Sequence, residues 1–488
     1  MSRNRIIIVT IGIMLSLFLA SMEATVVATA MPTIVGQLGG LDNYSWVFAA
    51  YMLASTTTVP LYGKLSDLYG RRKIYIIAMG LFLAGSVWCG IANSMTELII
   101  ARGLQGIGAG GIMPIAFILI GEMFTLEQRS RMQGFFSGVW GFSSIIGPLL
   151  GGYIVEQLSW HWVFLINIFP GVIAAGLVVF GWREQAQGQE RRAIDYAGAV
   201  LLSAAVVALL LGLEFESSSG LILIAISIIL FIALLWVEMR ASDPVVPIHL
   251  FKDRLFFATI FHGMLTGWAL YGFISFTPLF VQSVLGTNAM QAGITITPLL
   301  LGWVAASIIG TRLLLRVGYL KLAWLGTSLV VIASFCMSTV SANTGQTWMM
   351  IFLALLGIGM GLCIPPFLIA VQTTVERKHL GTATSFMQFS RSIGGTLGVS
   401  VMGAALGARL ASNLSASGLD PNLVTQLLEP SSTSQLVIDE GARLAVANSI
   451  NLVFTIGFIA AALSLLAVFV APRIKLEDRP QPSPVSAD

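Results

Sequence analysis

One carboxylate in this sequence stands where a carboxylate is costly. Glu23 lies well inside an apolar run from about residue 6 to 31, whereas Glu97, Glu122, Glu156 and Glu238 fall near the ends of such runs. Burial favours the neutral acid and water favours the anion. A carboxyl group that meets water alternately from two sides can therefore take up and release a proton. Arg102 is the matching cation. It follows the start of the run 97–121 by about six residues, and Glu23 precedes the end of its own run by about seven. In antiparallel helices rising 1.5 Å per residue, both come to roughly 10 Å below the same surface. A guanidinium there favours the charged carboxylate and opposes the effect of burial. The same pair could serve as a static lock between two helices.

Arg391 is the other cation inside an apolar run, near the middle of 381–409 and three residues from Gln388. It must face a polar cavity, where it could hold an anionic group or alternate with Glu23, or else snorkel to a membrane surface. In the run 256–284, Trp268 and Tyr271 share a helix face and Phe276 is rotated from them. An aromatic face suits an apolar or cationic ligand; packing within a bundle accounts for it equally. Pro298, Pro365 and Pro366 are candidate kinks. Cys89, Cys336 and Cys363 form neither a disulfide framework nor a metal spacing. The four histidines give no H-E-x-x-H pattern. We expect no metal and no cofactor. With no G-x-x-x-x-G-K-[ST] loop in the sequence, energy must come from an ion gradient, here protons, or from the ligand's own.

Only helices in lipid can position such groups. The chain is 56% hydrophobic and 10% charged, where soluble domains carry about 25% charged residues. That excludes a soluble enzyme for lack of polar surface and a disordered chain for excess of apolar surface. The net charge of +3 gives no reason to expect nucleic acid. The first run is too long for a signal-peptide core of about 7–15 residues and reads as a retained membrane helix. A crossing needs roughly 20 apolar residues. Fourteen runs qualify, near 6–31, 44–63, 74–93, 97–121, 133–156, 162–182, 196–213, 220–238, 256–284, 291–311, 322–340, 347–370, 381–409 and 446–470. With both termini in the cytoplasm, 22 of the 26 basic residues fall in inside segments and only Arg409 and Arg443 outside. This asymmetry is the positive-inside pattern.

A shift of 247 residues lays Gly134, Gly147 and Gly151 on Gly381, Gly394 and Gly398, and Gly63 on Gly310. We read an all-α membrane fold of two six-helix halves in parallel repeat, with two helices inserted between them. The halves span 1–183 and 256–488, the insertion 184–255. An outer loop at 410–444 could act as a lid or lie on the outer leaflet. The tail 473–488 reads as disordered.

The run Gly63-Lys-Leu-Ser-Asp67-Leu-Tyr-Gly70-Arg71-Arg72-Lys73 closely resembles the loop 2–3 signature of the major facilitator superfamily. Its glycines permit a tight turn, and Asp67 can pair with the basic cluster or face a neighbouring helix N-terminus. Leu98–Gly108, with Arg102, Gln105 and Gly106, is similar to the superfamily's helix 4 motif. Gly147-Pro148-Leu-Leu-Gly151-Gly152 resembles the helix 5 motif of drug exporters, with Ser143 where a glycine is usual. Met22–Pro32 resembles the helix 1 motif of fourteen-helix drug:proton antiporters, with Glu23 in place of Asp and Ala28 in place of Asn. Trp160–Asn167 fits the same family.

The resemblance implies proton-driven export of cationic or amphipathic small molecules by alternating access, in the plasma or inner membrane, by a monomer whose partners are its ligand and membrane lipid. Glu23 and Arg102 would couple protons, the 63–73 motif would gate, and Gly147–Gly152 would make close sliding contacts. Arg391, Gln388, Trp268, Tyr271 and Phe276 are candidate cavity residues. A lipid or glycolipid exporter of the same fold is the nearest alternative and a proton-coupled importer a lesser one. A membrane enzyme would need convergent catalytic side chains that the sequence lacks.

Overall fold

The computed structural model describes residues 3–39, 44–182, 195–214, 218–241, 244–246, 248–287, 289–416 and 440–474. All regular structure among them is helical. The first stretch comprises α1 (Arg3–Leu38), α2 (Tyr44–Tyr69), α3 (Arg71–Gly90), α4 (Met95–Met123), α5 (Leu126–Gln157), α6 (His161–Leu165) and α7 (Ile168–Gly181). Then come α8 (Tyr196–Glu214) and α9 (Ser218–Glu238). The remainder is α10 (Arg254–Ser283), α11 (Ala289–Val317), α12 (Tyr319–Ser338), α13 (Gln346–Thr374), α14 (Leu380–Ala416) and α15 (Glu440–Val470).

Each apolar run read from the sequence coincides with a helix, α6 and α7 together forming the sixth. The break between them has a cause. Pro170 carries no N–H to offer the Ile166 carbonyl, and its ring crowds that oxygen. Among the described residues, twelve helical stretches are long and apolar enough to cross a membrane. The two that fall short of that measure are α2 and α5, of 26 and 32 residues. Both are long enough, but α2 carries Thr56, Thr57, Thr58, Lys64 and Asp67, and α5 carries Glu127, Arg129, Arg131 and Glu156. Several of these polar groups are packed inside the protein, where lipid does not meet them: Thr56, Thr57, Lys64 and Arg129 are all buried.

Helix lengths repeat across the chain. α3 and α12 have 20 residues each, and α4 and α13 have 29 each. The link before α3 is Gly70 alone, at φ 93°, and the link before α12 is Gly318 alone, at φ 85°. A side chain would strain such a backbone, so glycine is required in both one-residue turns. The correspondence ends after α14. That helix continues to Ala416 and α15 begins at Glu440, so the loop expected over 410–444 is helical at both flanks. Its centre, 417–439, and the tail from 475 lie outside the described residues, as does most of the linker at 183–194.

The chain divides into two compact units. One comprises Met1–Asp253 and Val371–Phe389, the other Arg254–Ala370 and Ser390–Lys475. In the first, helices approach closely where side chains are missing. A Cβ on Gly106 would lie 2.5 Å from the Tyr51 carbonyl, and one on Gly110 2.5 Å from that of Ser55, so α4 lies directly on α2. Gly108 and Gly85 place α4 against α3 in the same way, at Phe82 and Gln105. Ser16 and Tyr75 pin α1 to α3 by a buried hydroxyl pair. The second unit is built on an apolar core from α10 to α15, with Phe273, Phe280, Met360, Met402 and Phe454 inside. Its polar pin is His262, bonded to Thr327 at 2.8 Å between α10 and α12.

Small residues at such crossings cannot be enlarged freely. Replacing Gly108→Ala should destabilise the detergent-solubilised protein by about 1–3 kcal/mol, the usual cost of overpacking, read as a lowered thermal midpoint. Gly103→Ala in the same helix, where a Cβ meets nothing within 4 Å, should leave that midpoint unchanged or slightly raised.

Candidate functional site

Five helical pieces of the first unit converge on one carboxylate. Glu23, on α1, is 1% exposed, and its Oε1 accepts from Arg102 Nη1 of α4 at 2.6 Å; the arginine is equally buried. The guanidinium is held from all sides. Its Nε donates to the Val47 carbonyl of α2 at 3.1 Å, and Nη1 also donates to Gln105 Oε1 at 2.7 Å. The Tyr51 ring lies 4.1 Å from its Cζ and the Phe164 ring 6.0 Å. Gln105 is tied at its other end, Nε2 donating to Ser86 of α3 at 2.8 Å. The second carboxylate oxygen, Oε2, accepts from Asn167 Nδ2 at 2.6 Å.

Local sequence explains the convergence. Asn167 sits in the two-residue break between α6 and α7 that Pro170 enforces. Trp160, 1% exposed, fixes the corner before it by donating from Nε1 to Gln37 of α1 at 2.9 Å. The depth argument from the sequence brings Glu23 and Arg102 together, and the structure joins them directly. Asn167, Tyr51 and Val47 did not emerge from that argument. The signal for Asn167 is that it is the only amide in the apolar stretch 162–182. For the carbonyl and the ring there is none.

The 63–73 motif forms a second cluster in the same unit. Asp67 accepts from the backbone N–H of Gly381 at 3.0 Å, from that of Thr382 at 2.7 Å and from the Thr382 hydroxyl at 2.8 Å. It thus caps the first turn of α14, where N–H groups lack helical partners and the helix dipole favours an anion. Arg71 pairs with Asp67 at 2.5 Å and with Glu122 of α4 at 3.2 Å, while its Nη1 donates to Ser66 at 3.3 Å. Gly63 is needed at this crossing, because a Cβ there would overlap Ser385 and lie 2.7 Å from the Gly381 carbonyl. Gly70 makes the turn. Lys73 is exposed and lies 5.5 Å from the Tyr69 ring, and Arg72 is half-buried.

The other candidates divide. A Cβ on Gly151 would meet Thr29 and come within 3.0 Å of the Val26 carbonyl, so α5 and α1 touch there; Gly152 has open space instead. Gly147 is buried, and the side chain of Pro148 lies outside the described residues. Ser143, standing where a glycine is usual, is buried and bonds within α5 to Val139 at 2.8 Å. In the second unit, Tyr271 and Trp268 pack on Gly395 and Gly398 of α14. Phe276 is 9% exposed and belongs to the apolar core. The backbone of Arg391 lies against Gly267 of α10. Gln388, in the first unit, approaches Met113 Sδ at 4.0 Å.

The sequence matches the family model described as Major Facilitator Superfamily over residues 13–399. It is 39% identical to the multidrug transporter protein MdtP of Bacillus subtilis over 416 residues, covering 83% of this chain and 76% of that protein. It is 36% identical to Multidrug resistance protein 3 of the same organism, covering 81% and 78%. Among solved structures, the human organic anion transporter MFSD10 (TETRAN) superposes with a TM-score of 0.65 at 14% identity, over 94% of this chain and all of that one.

The cap on α14 can be tested amide by amide. Asp67→Ala should speed hydrogen exchange at Gly381 and Thr382 about 5–30-fold relative to native protein, as loss of a cap worth roughly 1–2 kcal/mol requires. Amides in the middle of α14 should keep their native rates.

Proposed function

The chain belongs to the Major Facilitator Superfamily, and we propose that within it this protein exports cationic and amphipathic small molecules in exchange for protons. It is a multi-pass membrane protein of a transporter family, not an enzyme. In our reading it crosses the membrane fourteen times with both termini in the cytoplasm, which the distribution of basic residues supports. The halves are 1–183 and 256–488, with α8 and α9 inserted.

The observation that carries this proposal is a carboxylate with no exposure worth naming, held between a guanidinium and an amide. With Glu23 ionised, the Glu23–Arg102 pair is neutral overall. A proton arriving at Glu23 leaves Arg102 uncompensated and gives the site a net positive charge. A cationic ligand is then repelled from the neighbourhood, and release of the proton readmits it. Proton and cation thus exclude each other through charge alone, without sharing an atom, which is the requirement of exchange. Protonation also changes the relative stability of the two states open to opposite sides of the membrane, and so shifts their populations.

The names of the relatives at 39% and 36% identity, a multidrug transporter and a multidrug resistance protein, support the choice of cargo. Asp67 and its cap on α14 are assigned the gate, Gly151 the close contact with α1, Gln388 a polar contact to the ligand, and Arg391 the counter-charge to an anionic group on an amphipathic one.

The test uses purified protein in sealed vesicles with an imposed pH gradient. Native protein should drive ethidium against its gradient, and Glu23→Gln, which leaves Arg102 uncompensated as protonation does, should reduce that flux to the rate of protein-free vesicles and weaken ethidium binding. Ethidium movement indifferent to both gradient and substitution would remove the antiport mechanism. Movement of a labelled phospholipid without ethidium would replace the drug cargo by lipid.

A further inference from the structure

Two side-chain amides touch the Glu23–Arg102 pair, and they are held differently. Gln105 is occupied at both ends: Oε1 accepts from Arg102 at 2.7 Å and lies 3.8 Å from Cys89 Sγ, while Nε2 donates to Ser86 at 2.8 Å. Asn167 is occupied at one end only. Its Nδ2 donates to Glu23 Oε2 at 2.6 Å, and its Oδ1 is buried with no hydrogen-bond partner. The residue is 0% exposed. A buried carbonyl oxygen without a donor is unfavourable, and few native proteins carry one without a reason. Here a second protonation state supplies the missing donor.

We propose that Asn167 is a reversible partner of Glu23, its amide turning about the Cβ–Cγ bond as the carboxyl group gains or loses a proton. While Glu23 is ionised, Oε2 needs a donor and Nδ2 provides it. When a proton settles on Oε2, the O–H needs an acceptor, and Nδ2 pointing at it would leave two donors face to face. Half a turn of the amide presents Oδ1 instead, which accepts from the acid O–H. No covalent bond is made at Asn167, and the only proton exchanged is the one on Glu23. Only a primary amide has a donor and an acceptor of the same shape on one pivot. An aspartate there could only accept from a protonated Glu23, and a leucine could serve neither state.

The location suits a moving part. Asn167 lies between α6 and α7, where the regular helical ladder is interrupted. Arg102 is the fixed part, gripped by Val47, Gln105 and the Tyr51 ring. The remaining titratable groups facing the pair among the described residues are Tyr51 on α2 and Cys89 on α3. Asn167 is a positioning residue, acting through Glu23. The inference rests on the proton-coupling role assigned to Glu23 above.

The test is made on full-length protein in vesicles, with ethidium as the probe and Glu23→Gln as the reference. Asn167→Asp should move the midpoint of the pH dependence of ethidium flux by about one unit or more to higher pH, because two adjacent carboxylates retain a shared proton more strongly than one. Asn167→Leu should reduce gradient-driven flux at least tenfold, with ethidium binding unchanged within about twofold. In infrared difference spectra, the carbonyl stretch of protonated Glu23, identified by its loss in Glu23→Gln, should shift in Asn167→Leu, since its hydrogen-bond acceptor is gone. A purely structural role would leave that band where it is. A native midpoint in Asn167→Asp, or an unshifted band in Asn167→Leu, overturns the proposal. Should Asn167→Leu not fold, Asn167→Ala, which removes the same acceptor without added bulk, replaces it in the infrared measurement. Retention of gradient-driven flux in Glu23→Gln is a separate result and removes the proton-coupling reading itself.

Discussion

The ion pair between Glu23 and Arg102 is the constraint to which the first unit is built. Removing two charges from water costs several kcal/mol each even after relaxation. Their mutual attraction at about 4 Å, with an effective dielectric near 20, returns only about 4 kcal/mol. The pair alone does not offset its own burial. What closes the gap is the surrounding set of donors and acceptors: the Val47 carbonyl, the Gln105 and Asn167 amides and the electron-rich face of Tyr51. These come from α2, α4 itself and the break after α6, and Gln105 extends the set to Ser86 of α3. In the proposed cycle the pair must stand near balance between its charged and neutral forms. Near balance is what a group that must change protonation state requires, and a strongly net-favourable bridge would not open.

The repeat within the chain preserves geometry and discards chemistry. Gly70 and Gly318 make the same one-residue turn, and α3 and α4 have the lengths of α12 and α13. Yet at the shift of 248 that lays Gly70 on Gly318, Asp67 corresponds to Leu315, and at the shift of 251 that lays α4 on α13, Arg102 and Glu122 correspond to Leu353 and Thr373. Leu353 belongs to the apolar core of the second unit. The buried charge network is therefore confined to one half, while the other uses the equivalent positions for packing. Aromatic residues of α10 follow that pattern. Trp268 and Tyr271 fill the space left by Gly398 and Gly395, and Phe276 lies in the core.

How much of this was legible beforehand depended on the range of the physics. Apolar run lengths fix where helices lie, and the rise per residue fixes that Glu23 and Arg102 share a depth. Both are local quantities, and both located the structure correctly. α2 and α5 fall below the hydropathy measure because buried polar groups read like water-facing ones in a sequence window. The cap on α14 links Asp67 to amides more than 300 residues away, and backbone N–H groups carry no sequence signature at all. Asn167 was visible as an amide in an apolar stretch. Its partner was not, because Glu23 lies 144 residues away on α1 and periodicity does not say which helices adjoin.

The two clusters of the first unit are joined by the same pair of helices. α2 carries Val47 and Tyr51 at the Glu23 network and Asp67 at the cap, and α4 carries Arg102 at one and Glu122 at the other. From Tyr51 to Asp67 is roughly 24 Å along the helix, and from Arg102 to Glu122 roughly 30 Å, at 1.5 Å per residue. Between these points α2 and α4 lie in contact at Gly106 and Gly110, against the Tyr51 and Ser55 carbonyls and only the short side chains of Ala54 and Thr58. Soft packing would absorb a displacement at one end; backbone resting on backbone transmits it. In the proposed cycle, a change of charge at Glu23 that tilts α4 against α1 must therefore move Glu122, and with it Arg71 and Asp67, at the N-terminus of α14. The glycines of α4 are then part of the coupling between proton and gate, by the same absence of side chains that makes them sensitive to enlargement.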